Sequence, residues 1–107
     1  MTFERAKEIG THGGCGLVAC AILDAAGRGT PLVRYRRNGE AVHAAVLLDG
    51  IINHLGDDDE GFVEVSREEL ERACREDFYA DRVQVDDGEL DAIASVFVGR
   101  DEWSKSE

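Results

Sequence analysis

Apolar side chains recur along this chain at two different periods. Leu17, Val18, Ala21, Ile22 and Ala25 fall three or four positions apart, so Cys15 to Ala26 is predicted to be a largely buried helix, closed by Gly27. A shorter helix is predicted before it, capped by Thr2, carrying Phe3, Ala6 and Ile9 on one side and ended by Gly10. Between the two, Thr11-His12-Gly13-Gly14 turns the chain. The pattern then changes to strand-like runs: Leu32 to Arg36 after Pro31, Ala41 to Leu48 after the Asn38-Gly39 turn, and a third run through His54 after Asp49-Gly50. Helical spacing returns with Leu70 and Ala73, behind a Ser66 cap paired with Glu69. It returns again with Leu90, Ile93, Ala94 and Phe97, behind Asp86 or Asp87. Arg82 to Val85 reads as one more strand. Together these elements predict an α+β fold in which a central helix packs on a small antiparallel sheet, a three-stranded meander, with additional C-terminal helices.

At 107 residues, 43% of them apolar and only one a proline, the chain is expected to form a single domain over residues 1–102. Trp103 to Glu107 reads as a polar tail. The formal net charge is −11, from 23 acidic and 12 basic side chains. Such a field repels nucleic-acid phosphates, so direct nucleic-acid binding is not expected, whereas a basic protein partner is compatible with it. Three cysteines cannot all pair within one chain, and Met1-Thr2-Phe3-Glu4-Arg5 lacks the features of a secretory signal. The expected setting is a reducing cytoplasm with free thiols. The longest apolar run, near Leu17 to Leu23, is too short for a bilayer, and no membrane association is expected.

Candidate chemistry centres on Gly13-Gly14-Cys15-Gly16 and on His43. A thiol at a helix start feels the positive end of the helix dipole, which favours thiolate, and an imidazole beside it would complete a nucleophile and base pair. Cys20 and Cys74 fall within apolar helix patterns and read as core. His12, Cys15, Cys20, His43 and His54 offer metal-ligating atoms, but no C-x-x-C knuckle is present, so neither a metal nor another cofactor is expected. The acidic run Asp57 to Glu60 lacks the pattern of a calcium loop and reads as an exposed, solvated loop.

Over Gly13 to Gly56, the order of helix-borne Cys, hairpin, strand-borne His and a polar residue on the next strand resembles the papain-like cysteine hydrolases in the broad sense. The compact NlpC/P60-like and transglutaminase-like branches and short phage or bacterial members are included. The resemblance implies a papain-like minimal core and cleavage of an amide, isopeptide or thioester in a peptide or protein substrate. In that reading Cys15 is the nucleophile, His43 the base, and backbone N–H groups at the helix start the oxyanion donors. Turn length decides the third residue. With the two-residue turn Asp49-Gly50, His54 shares a face with His43, and with the three-residue turn Leu48-Asp49-Gly50, Asn53 does. The Asn-His-Leu-Gly ending is similar to the family's D-x-x-G stretch, and on that likeness Asn53 is the expected orienting residue. The alternative from a different class is a non-enzymatic acidic binding protein or inhibitor of phage type, a nucleic-acid mimic among its forms, occupying a basic surface of a partner protein.

Overall fold

The computed structural model describes residues 1–105 as four helices and a four-stranded antiparallel sheet, an α+β arrangement. Helix α1 (Phe3–Thr11) begins where Thr2 Oγ1 accepts from the Arg5 amide. It continues one residue past the expected stop at Gly10. Gly10 serves packing instead: a Cβ there would stand 2.5 Å from that of Leu55. Helix α2 (Cys15–Ala26) follows and ends at Gly27, which takes the left-handed conformation with φ 70°. Its apolar side, with Val18, Ala19 and Ile22, is buried, as the 3.6-residue period requires.

Strands β1 (Thr30–Tyr35), β2 (Ala41–Leu48) and β3 (Ile51–Asn53) form the expected meander. A fourth strand, β4 (Val63–Glu64), pairs with β1 and makes the order β3-β2-β1-β4. Two residues are too few to leave a periodic signature, so sequence pattern does not reveal β4. Arg82 to Val85 is not a strand. The Val83 amide donates to the His12 carbonyl at 2.9 Å, which fastens this segment to the end of α1 instead of to a sheet edge.

Helix α3 (Arg67–Glu76) starts with Ser66 Oγ accepting from the Glu69 amide at 3.0 Å. Helix α4 (Asp87–Phe97) opens with a reciprocal capping box between Asp86 and Glu89. Both helices lie against α2, which touches every other helix as well as β1 and β2 and so organises the core. Ile9, Ile22, Val33, Val46, Leu70 and Ile93 are its largest fully buried side chains. Cys74 is buried there and Cys20 half-buried beside it, and the contact between the two thiols raises Cys74's pKa and lowers Cys20's.

The expected polar tail needs correction at its first two residues. Trp103 packs edge-on against Phe3 and Phe97, with ring centroids 5.6 and 6.0 Å away, and the Ser104 amide donates to the Met1 carbonyl at 2.8 Å. One aromatic ring outweighs its polar neighbours in deciding where the segment lies. Ser106 and Glu107, the end of that tail, fall outside the described residues. Among the described residues, no single helix is long and apolar enough to cross a membrane.

Candidate functional site

Strand β2 carries the residues on which the chemistry turns, and its register separates them. Val33 pairs with Ala44 and Arg34 with His43, so Val33 and Ala44 share one face of the sheet and Arg34 and His43 the other. Val33, Ala44 and Val46 belong to the core cluster that contains Cys15. Cys15 therefore lies on the helix-covered face and His43 on the opposite one. The structure does not bring the expected nucleophile and base together.

Cys15 does occupy the first turn of α2, as its sequence position indicates. It is only 5% exposed, and burial pushes its thiol up to about 11, against smaller opposing hydrogen bonds from the backbone of Ala44, Gly16 and Cys15 itself. Desolvation outweighs the helix dipole, whose influence is about 0.3–1 kcal/mol at a typical terminus. The narrow gap around Cys15, lined also by Ala44, Asn53, His54 and Leu55, has no room for a water molecule. A substrate carbonyl has no approach to the sulfur in this arrangement.

The hairpin between β2 and β3 corrects the expectation for Asn53. Leu48 pairs with Ile51, so the turn is the two-residue Asp49-Gly50, with φ 53° and 79°. Two successive positive φ values are what a tight hairpin of primed type requires, and Asp-Gly supplies them readily. Val46 consequently pairs with Asn53, whose side-chain amide donates to the Ile51 carbonyl at 2.8 Å rather than to an imidazole. His54 meets His43 in its place.

On the outer face, His43 Nε2 lies 3.0 Å from His54 Nδ1, and His54 Nε2 lies 2.6 Å from Asp59 Oδ1. The Gly56 amide donates to the same His54 Nδ1 at 3.0 Å. A ring nitrogen that accepts from an amide carries no proton. The hydrogen bonds thus assign His54's proton to Nε2, facing Asp59, and make His43 Nε2 a donor to His54. Burial, followed by the charges of His54 and Arg34, pushes the His43 imidazolium down to about 4. Phe62 covers both rings, with centroids 5.9 Å from His43 and 5.2 Å from His54, and Arg34 lies 4.5 Å over Phe62. Arg34 also donates to the Asp58 and Glu60 carbonyls, at 2.6 and 2.9 Å.

Together these contacts form a clasp that holds the 55–62 loop against the sheet. The acidic run is exposed, as expected, and two of its carboxylates also make contacts: Asp59 closes the histidine chain and Asp57 pairs with Lys7 at 3.1 Å. The sequence gives one usable signal for Asp59, its place five residues after His54. Nothing local marks Arg34 and Phe62 as its companions. No group of three or more potential ligands among the described residues is arranged to hold a metal ion.

A second feature lies on the far side of α2. Its seam with α4 opens into a groove of about 610 Å³, floored by small and aliphatic side chains and bordered by Asp24, Asp87 and Asp91, with Arg100 also in its lining. Asp24 is held by Arg67 at 2.8 Å, whereas no partner among the described residues holds Asp87 or Asp91. Sequence pattern does not set this feature apart, because Leu17, Ala21 and Ala25 belong to the same helical repeat as the core, and Asp87 and Asp91 serve equally as ordinary exposed helix positions. Their i, i+4 recurrence, Leu17-Ala21-Ala25 and Asp87-Asp91, is the available signal.

No family model matches the chain, and neither does any curated protein or solved structure.

Proposed function

We propose that this chain is a non-catalytic, acidic binding domain that engages a basic surface of a partner protein in the cytoplasm. The observation that carries the reading is the separation of Cys15 from His43 by the sheet, with the thiol dry and its pKa raised. A papain-like hydrolase needs a thiolate, a base within reach of it and a site open to substrate. Here His43 Nε2 is engaged by His54, and the crevice at Cys15 does not admit water. What remains available for function is the surface, and its charge of −11 favours a cationic partner while disfavouring nucleic acid.

Two measurements test this together. Intact-mass analysis after incubation with an activated ester is expected to show no acyl adduct on Cys15. Calorimetric titration with poly-lysine is expected to show binding that weakens steeply with salt and is the same for Cys15→Ala. Rapid acylation of Cys15, or a folded Cys15→Ala variant that no longer binds, contradicts the proposal.

A further inference from the structure

We infer that the groove between α2 and α4 is the docking site, and that its occupant is a short amphipathic helix of a partner protein bearing lysine or arginine along one edge. This rests on the binding-domain reading above and names the site and the partner's chemistry. The floor is built from Leu17, Ala21 and Ala25 on α2 and from Leu90 and Ala94 on α4. Ala21, Ala25 and Ala94, with a single side-chain carbon each, keep the floor low between Leu17 and Leu90. The stretch from Leu17 to Ala25 extends about 12 Å at 1.5 Å per residue, which matches the apolar face of a helix of two to three turns.

The border sets the sign of the occupant's charge. Asp87 and Asp91 stand one turn apart on α4, both exposed and, among the described residues, unpaired. Cationic side chains at i and i+4 on a docked helix repeat at nearly the same interval. Arg100, in the same lining, is tethered to the Ala25 carbonyl at 3.0 Å and leaves the groove one positive end, suited to a carboxylate or the C-terminal carbonyls of the docked helix. A second copy of this chain suits the groove poorly, since each copy would bring the same unpaired carboxylates and a share of the same −11 charge. Anionic lipid and nucleic acid are disfavoured on the same ground.

The test uses the full chain and three fluorescent probes: a 15-residue lysine–leucine peptide with helical amphipathicity, a scrambled isomer of equal charge, and poly-lysine, each followed by anisotropy. The amphipathic isomer is expected to bind at least ten-fold more tightly than the scrambled one. Asp87→Lys with Asp91→Lys should weaken that binding at least ten-fold, and Ala21→Trp, which fills the floor, should weaken it without changing net charge. Glu40→Lys with Glu64→Lys, an equal charge change on exposed positions elsewhere, should change it less than three-fold. Circular dichroism melts confirm folding, and Asp87→Asn with Asp91→Asn replaces the reversal if that variant fails to fold.

Equal binding of the two isomers, or equal weakening by the two charge-reversed pairs, overturns the groove while leaving a general acidic surface in place. Absence of binding to all three probes overturns the binding-domain reading as well. A dimer in sedimentation that Ala21→Trp dissociates assigns the groove to a second copy and also overturns the inference.

Discussion

The two faces of one strand in this molecule are governed by opposite rules. On the helix-covered face of β2, Ala44 and Val46 join Cys15, Val18 and Ile22 in a dry core where a polar group has little to meet. On the other face, one residue earlier, His43 enters a chain of hydrogen bonds that runs through His54 to Asp59 and is roofed by Phe62 and Arg34. The Cys15 thiol, buried and desolvated, is held neutral. His43, buried to a slightly lesser degree, is also held neutral by desolvation and by the charges of His54 and Arg34, but its ring has hydrogen-bonding partners. Burial alone therefore does not distinguish a packing residue from a potentially chemical one. Whether the neighbouring groups can complement charge does.

That contrast predicts effects of different size and kind. The largest belongs to the inner face. Ile22 is fully buried at the centre of α2, and Ile22→Ala should lower stability by about 2–5 kcal/mol, read as a shift in the urea midpoint, with little dependence on pH. A pH-dependent loss of similar size would show that polar groups reach the core and would break the comparison.

The next effect belongs to the outer face and is a pH dependence. His43 is held neutral in the fold, with its pKa pushed down to about 4 against about 6.5 when unfolded, so its contribution is fully present above pH 6.5. As pH falls from 6.5 towards 4, the unfolded chain binds the proton more readily than the fold does, and stability drops by up to about 3 kcal/mol. His43→Gln should flatten that part of the stability profile, measured by urea unfolding between pH 7 and pH 4. An unchanged slope would mean that His43 is not the group being kept neutral.

A smaller effect is expected at the exposed end of the clasp. Asp59→Asn removes the charge that His54 Nε2–H faces and should cost roughly 0.5–1 kcal/mol, because the carboxylate is largely open to water. Its clearer sign should be faster hydrogen exchange at the Gly56 amide, which donates to His54, with the core amides of α2 unaffected. Uniform acceleration across the chain would instead indicate that the loop and the core open as one unit.

Much of this architecture is legible in the sequence, for reasons visible in particular residues. The helical spacing of Leu17 to Ala25, the Gly27 stop, the Ser66 and Asp86 caps and the tight turns at Asn38-Gly39 and Asp49-Gly50 are local signals, and the fold honours them. The candidate site was harder to read because it depends on parity. A single residue of turn length decides whether Asn53 or His54 shares a face with His43, and the intrinsic fit of Asp-Gly to a two-residue turn outweighed a likeness of motif. The partners of Cys15 and His43 are set by long-range packing, which neither Gly-Gly-Cys-Gly nor an isolated histidine encodes. Trp103 illustrates the same limit: its polar neighbours read as tail, while its contacts are with Phe3, at the other end of the chain, and Phe97.

The measurement that bears most directly on the separation of thiol and imidazole is the pH profile of Cys15 alkylation by iodoacetamide, followed by mass spectrometry in a Cys20→Ala, Cys74→Ala background and again with His43→Gln added. Slow alkylation throughout pH 6–9, rising only towards about pH 11 and unchanged by His43→Gln, is the expected result. Fast alkylation below pH 8 that is lost with His43→Gln would put the two side chains in contact and contradict the account.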